Sequence, residues 1–344
     1  MTPAEANRPL RIGIIGAGKM ALWHLRAYRR VGRSVRVEAI ANLSSDRGAT
    51  LAARFGIPRH FSDGHTLIDE AGVDAIDICV PTAAHRDYLL HAIRKGLHAY
   101  CEKPLCGRTA EIREVIAANA AEPRILFNGF NYRFLPAFMR VKRLLAAGEI
   151  GEPRHVRIIR TTEDSVDAYR QAQGAGLFNE FHCHFVDLLD FWGFARPRRV
   201  HAFGSSLEPP VVNPDTGTMV LDCGGVCAEI TTSIVSAGLA PQVLIIGTRG
   251  SLRVQFGRVD VVPLTRRRSL AASIALMTRE AITLPHRVLR NPFLGSCGHF
   301  VECARTGEPT ACNERVALQV AQVTEAAQTS FAQGGAALVP AAES

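Results

Sequence analysis

Arg11-Ile12-Gly13-Ile14-Ile15 runs directly into Gly16-Ala17-Gly18-Lys19-Met20-Ala21, and the reading of this stretch decides the fold. The first five residues read as a strand, and Met20–Val31 reads as the helix that follows. A G-x-G-x-x-A turn between strand and helix suits a pyrophosphate. Gly16 permits the tight turn. Gly18 lets backbone N–H groups approach the phosphates. Ala21 keeps helix and strand close. The unsatisfied N–H groups at the helix start add partial positive charge. Gly16, Gly18, Lys19 and Met20 are therefore the expected cofactor contacts of this loop.

Outward from that turn, strand-like and helix-like segments alternate. Val35–Ala41, Ala75–Val80, His98–Cys101 and Ile125–Asn128 read as strands. Asp46–Phe55, His85–Lys95 and Ile112–Ala120 read as helices. The alternation predicts an α/β unit over residues 9–128, a doubly wound parallel sheet of the Rossmann type. Ligands of such sheets lie beyond the carboxyl ends of the strands. Gly16, Asn42, Pro81 and Glu102 fall there. After Asn128 the pattern changes. A helix over Pro136–Ala147, a strand over His155–Arg160 and a helix over Phe181–Trp192 come first. Strand-like segments with turns then follow from Arg199 to Val262. Residues 129–344 thus predict an α+β domain on a mainly antiparallel sheet.

Composition sets the outer bounds. The chain has 344 residues, of which 47% are hydrophobic and 21% charged, enough for two globular domains. Its net charge of +8 favours an anionic ligand. The longest basic run, Arg266-Arg267-Arg268, has no interleaved aromatics, which argues against nucleic-acid binding. Met1 to Arg8 is polar, and no apolar run is long enough to span a bilayer, so a cytoplasmic protein without a transmembrane segment is expected. The nine cysteines form no C-x-x-C pair and read as reduced thiols. Leu270, Ile274, Met277, Ala281 and Leu284 recur at helical spacing before Pro285. This segment, within residues 267–290, reads as a helix packed on the sheet or on a subunit partner rather than on a membrane.

Further landmarks stand in a fixed order. His24 lies three residues beyond Ala21. Pro81-Thr82-Ala83-Ala84-His85, Glu102-Lys103-Pro104, Asn131-Tyr132-Arg133-Phe134 and Gly148-Glu149-Ile150-Gly151 follow. Gly176 to Asp187 then carries Glu180, His184 and a distal aspartate, and Gly307-Glu308-Pro309 precedes a helix over Glu314–Phe331. In this order the chain resembles the family of glucose–fructose oxidoreductase, inositol dehydrogenase and MocA along nearly its whole length. The resemblance implies a nucleotide-binding domain followed by an open-faced sheet domain, with homo-oligomers formed through that sheet. It implies NAD(P)-dependent hydride transfer at a hydroxyl carbon of a sugar, sugar derivative or cyclitol. It also implies Lys103 and His184 as the catalytic pair. Glu180 stands where the family often has aspartate, and His182 where it often has glycine.

The residues themselves are suited to that chemistry. Oxidising a secondary alcohol requires removal of the hydroxyl proton as hydride leaves the carbon. A partly desolvated lysine beside a cationic nicotinamide is expected to have a lowered pKa and to serve as general base. Glu180 and His184, one helical turn apart, share a face, so Glu180 is placed to orient His184 or to bind substrate hydroxyls. His182 points about 200° away from Glu180 on an α-helix, which argues against a metal site. Thr82, His85 and Glu102 join the expected cofactor contacts. Asn42 replaces the acid that would bind an NAD ribose. With Ser44 and Arg47 nearby, the choice between NAD and NADP tilts toward NADP. Tyr132, Arg133, Arg160 and Tyr169 are candidates for the substrate pocket, where arginines would suit a phosphorylated or nucleotide-linked sugar. Two other functions share this sequence pattern, a non-catalytic dinucleotide sensor and an NAD-dependent glycoside-cleaving enzyme. Net production of reduced cofactor separates a dehydrogenase from both.

Overall fold

The computed structural model describes residues 8–163, 176–206, 214–255, 258–263 and 291–340. The N-terminal elements alternate as read, with one further strand and helix between Phe55 and Ala75 that the sequence pattern did not predict. They are β1 (Leu10–Ile15), α1 (Lys19–Val31), β2 (Val35–Ala41), α2 (Ser45–Phe55), β3 (Arg59–Phe61), α3 (Gly64–Glu70), β4 (Ala75–Ile78), α4 (His85–Arg94), β5 (His98–Cys101), α5 (Thr109–Asn119) and β6 (Leu126–Asn128). The six strands form one parallel sheet in the order β3-β2-β1-β4-β5-β6. The direction of winding reverses between β1 and β4, and this opens a crevice at the carboxyl edge. Ile14 and Ile15 point to opposite faces and both are buried, each in a different core cluster, as a strand covered on both faces requires.

The second sheet has seven strands. They are β7 (Pro153–Glu163), β8 (Arg199–Ser205), β9 (Thr216–Asp222), β10 (Cys227–Ser233), β11 (Val235–Gly247), β12 (Gly250–Gln255) and β13 (Arg258–Pro263). Their order is β13-β12-β11-β7-β10-β9-β8, and only β7 and β10 run parallel. Side chains alternate between its faces. Val156, Ile158, Ala228, Ile230, Met219, Leu221, Val243 and Ile245 are buried on one of them. Arg157, Ile159, Val220, Glu229, Leu244 and Ile246 stand on the other, where each keeps some solvent contact. The buried face is roofed by α6 (Pro136–Ala146), by a π-helical turn at Phe178–His182 and by α7 (Cys183–Phe191).

Two C-terminal helices return to the first sheet, α8 (Leu294–Thr306) and α9 (Glu314–Ala332). On α8, Ser296 accepts a hydrogen bond from the Tyr100 hydroxyl at 3.2 Å, and Phe300 meets the Tyr100 ring edge-on. On α9, Glu325 accepts bonds from the amide and hydroxyl of Thr109 at 2.7 and 2.9 Å. Residues beyond 128 therefore complete the core of the parallel sheet as well as building their own. The helix expected within residues 267–290 lies outside the described residues, as does Tyr169.

Candidate active site

Gly16 closes β1 at φ +109°, and a Cβ there would lie 2.3 Å from the Cys79 carbonyl oxygen, so only glycine fits. Gly18 caps α1 without any side-chain hydrogen bond. A Cβ on Gly18 would meet nothing within 4 Å. The helix thus begins with its N–H groups facing open space at the crevice, as a pyrophosphate seat requires. Lys19 is exposed and Met20 half-buried on the first turn.

Asn42, at the end of β2, is tied to this loop. Its side-chain oxygen accepts from the Ala17 amide at 3.1 Å, and its NH2 donates to the Ser44 carbonyl at 2.9 Å. Ser44 and Arg47 are exposed at the start of α2. Leu43 between them is 88% exposed, an apolar side chain beside the expected ribose position that the sequence reading did not single out.

The end of β4 and the turn after β5 form the opposite wall. Pro81 is exposed and Thr82 opens a short 3-10 turn. His85 was expected to face the cofactor, but it is buried, with its ring nitrogens each 2.9 Å from the carbonyl oxygens of Val80 and Pro104. Burial pushes its pKa down. The ring is wedged between the two loops and acts on the site by placing them. Glu102 also turns inward, with its carboxylate 2.9 Å from His24 Nε2. His24 Nδ1 lies 2.8 Å from Asp77, which also accepts from the Tyr28 hydroxyl at 2.8 Å. Burial opposes a charge on His24, yet Asp77 lifts its pKa well above the ordinary value. With Cys79, His24 and Asp77 are the only candidate metal-ligand cluster among the described residues, and their polar atoms already contact one another.

Lys103 follows Glu102 and is joined to Pro104 by a cis bond. Its Nζ donates to the Glu180 carboxylate at 2.8 Å and to the Glu180 main-chain carbonyl at 2.7 Å. Thr82 Oγ1 donates to the other Glu180 oxygen at 3.4 Å. This geometry corrects the expectation of a lowered lysine pKa. Burial alone would lower it, but Glu180 overrides burial and drives the pKa up. Lys103 is held as an ammonium. His184 behaves in the opposite way. Burial, then the charges of Lys103 and Arg160, hold its pKa well below the usual value, so the ring is neutral. Tyr132 stacks on it with ring centroids 4.3 Å apart.

The helix bearing these groups begins earlier than expected. Phe178–His182 makes a π turn before the α-helical register starts at Cys183, an irregularity frequent at functional sites. His182 lies wholly buried, edge-on to Phe178 at 5.1 Å, with no partner for either nitrogen. Arg133 was expected in the substrate pocket and is instead buried and ion-paired to acids of α7. It is bonded to both Asp187 oxygens at 2.8 and 2.9 Å and to Asp190 at 2.7 Å. Arg160 is half-buried, with its guanidinium over the Phe181 ring at 5.3 Å.

Comparison with known proteins agrees with this architecture. Residues 10–130 match the family model for the oxidoreductase family with an NAD-binding Rossmann fold, and residues 138–253 match the GFO/IDH/MocA C-terminal domain. The chain is 27% identical over 311 residues to myo-inositol 2-dehydrogenase of Thermotoga maritima, covering 88% of this chain and 90% of that one. It is 26% identical to D-apiose dehydrogenase of Paraburkholderia graminis, covering 93% and 87%. Its fold matches a levoglucosan dehydrogenase solved with NADH and levoglucosan at a TM-score of 0.84, with 20% identity over 97% of this chain and all of that one. The open glycine loop, the lysine–glutamate–histidine group and both matched domains lead to one assignment: the chain belongs to the GFO/IDH/MocA family of oxidoreductases.

Proposed function

We propose that this protein is an NAD(P)-dependent dehydrogenase acting on a hydroxyl carbon of a sugar, sugar derivative or cyclitol. The observation that carries this reading is the Lys103 ammonium held by Glu180 beside a neutral His184, at the carboxyl edge of the parallel sheet. The names of the relatives, dehydrogenases of inositol and apiose, support the substrate class. The open, uncapped start of α1 fits a dinucleotide, with Gly16, Gly18, Lys19 and Met20 around the pyrophosphate. A bound nicotinamide supplies the acceptor or donor of hydride.

The division of labour follows from the charges. His184, neutral and stacked on Tyr132, accepts the hydroxyl proton in the oxidative direction. Lys103, already charged, hydrogen-bonds the reacting oxygen and stabilises the negative charge that grows there. Glu180 fixes the ammonium, and Thr82 steadies Glu180. In reduction Lys103 polarises the carbonyl and His184 returns the proton. Asn42 in place of an acid, with Ser44 and Arg47 exposed nearby, supports use of NADP alongside NAD. The half-open seven-stranded sheet supports a homo-oligomer, and the absence of a long apolar helix among the described residues is compatible with a cytoplasmic location.

The test is Lys103→Met in the full chain, with net formation of NADH or NADPH followed on a panel of sugars and inositols. Turnover is expected to fall by about 10²- to 10⁴-fold, while the dissociation constant for reduced cofactor stays within a few-fold. Wild-type turnover in the variant would remove Lys103 from the chemistry.

A further inference from the structure

Val156, Ile158 and Arg160 alternate onto one face of β7, the face roofed by the π turn and α7. The first two are wholly buried apolar residues. An arginine in the third place is out of keeping with that face. Its neighbour in register on the parallel strand β10 is Thr232, which is also wholly buried and whose hydroxyl has no hydrogen-bond partner. The Arg160 guanidinium lies over Phe181, which packs with Leu177 and with Ile234 just beyond β10. Phe181 directly follows Glu180 and precedes His184 by one turn. Arg160 therefore sits at the end of the strand closest to the reacting groups, and its charge bears on His184.

No carboxylate among the described residues pairs with Arg160. Glu180 is engaged by Lys103, and Asp187 and Asp190 are engaged by Arg133. Among the described residues the half-buried guanidinium has no counter-ion, and the buried Thr232 hydroxyl beside it in register has no partner. Such donors are costly unless something accepts from them.

We infer that Arg160, in register beside the buried Thr232, forms a carboxylate-recognition subsite, so that the preferred substrate is a polyhydroxy acid, such as a uronate or aldonate, rather than a neutral sugar or cyclitol. The inference rests on the dehydrogenase reading and names the substrate class of that site. A planar guanidinium presents a fork that matches one carboxylate. A phosphate dianion would call for a second cation at the same point, and Lys103 is already bound to Glu180.

The experiment uses the full chain with NAD+ and NADP+. It compares glucose, galactose and myo-inositol with glucuronate, galacturonate, gluconate and glucose 6-phosphate. Wild type is expected to favour a carboxylate over its neutral counterpart in kcat/KM by about 10- to 100-fold, chiefly through KM. Arg160→Met should collapse that ratio toward one, and Arg160→Lys should restore part of it. Melting curves establish that both variants fold, and the lysine variant decides if the methionine variant does not. A wild type that prefers the neutral compounds or the phosphate overturns the inference and leaves the dehydrogenase reading standing, as does an acid-to-neutral ratio that Arg160→Met leaves unmoved. If no compound turns over, the dehydrogenase reading fails for these compounds. Calorimetric titration of glucuronate and glucose into NADH-loaded protein then decides the inference separately. Equal affinities, or equal binding by wild type and Arg160→Met, overturn it.

Discussion

Two histidines two residues apart, His182 and His184, are both held neutral by burial, and only one of them meets the reacting groups. His182 has no partner for either nitrogen, and burial takes its pKa down to about 3. In an unfolded chain the same ring takes a proton near pH 6.5. Above that pH its neutral form costs the folded state nothing in protonation. Between about pH 6.5 and about 3 the unfolded state binds one more proton, so stability falls as pH falls, by up to about 1.4 kcal/mol per unit. His182→Phe keeps a ring against Phe178 and removes the titration. The stability advantage of the variant over wild type should grow by up to about 2 kcal/mol between pH 7 and pH 5, read from denaturant titrations at the two pH values. An unchanged difference would show that His182 does not remain neutral. At this scale the sequence revealed residue types better than their states. Lys103 was legible from its place after a strand. Its charge was not, because the Glu180 carboxylate that holds it lies 77 residues away. Arg133 was misplaced for a similar reason, since only the fold brings Asp187 and Asp190 beneath it.

The strand–turn–helix elements of the parallel sheet were the most legible part, because most of its strands are rich in apolar residues and are followed by a turn residue. β3 escaped notice because three residues, Arg59-His60-Phe61, are too short for any periodicity to show. α8 escaped notice because Gly295, Ser296, Cys297 and Gly298 are weak helix formers. It forms because Cys297, Phe300 and Val301 are buried in the common core. The π turn could not be foreseen either, since Glu180 and His184 lie close in any helical register. At the end of β2 the arrangement is a joint between elements, where Asn42 pins the glycine loop with its oxygen and the start of α2 with its NH2. Asn42→Asp keeps the first bond, replaces the second by repulsion from the Ser44 carbonyl, and adds a negative charge. Binding should shift toward NAD+ over NADP+ by about tenfold or more in the ratio of dissociation constants. Cofactor titrations on both proteins measure this, and an unaltered ratio would place the end of β2 away from the ribose.

For the whole molecule, the second sheet is unequal on its two sides. One face is roofed by helices, while the other presents Ile159, Val220, Leu244 and Ile246 among polar residues. Ile246 is 42% exposed. A row of partly covered apolar side chains on a broad sheet suits a self-complementary interface. Ile246→Arg should lower the molar mass in solution measured by light scattering, with the folded far-ultraviolet spectrum retained. A mass unchanged from wild type would show that this face is not a subunit contact. The return of α8 and α9 to the parallel sheet bears on the order of events during synthesis. Both sheets have left the ribosome before these helices are made, yet Tyr100, beneath the turn that carries Lys103, lacks its Ser296 and Phe300 partners until then. The nucleotide-binding half therefore waits, with apolar surface uncovered, until α8 and α9 have been made. A nascent chain stalled before residue 291 should be a client for chaperones and should not retain dinucleotide, although every residue of the glycine loop has already been made.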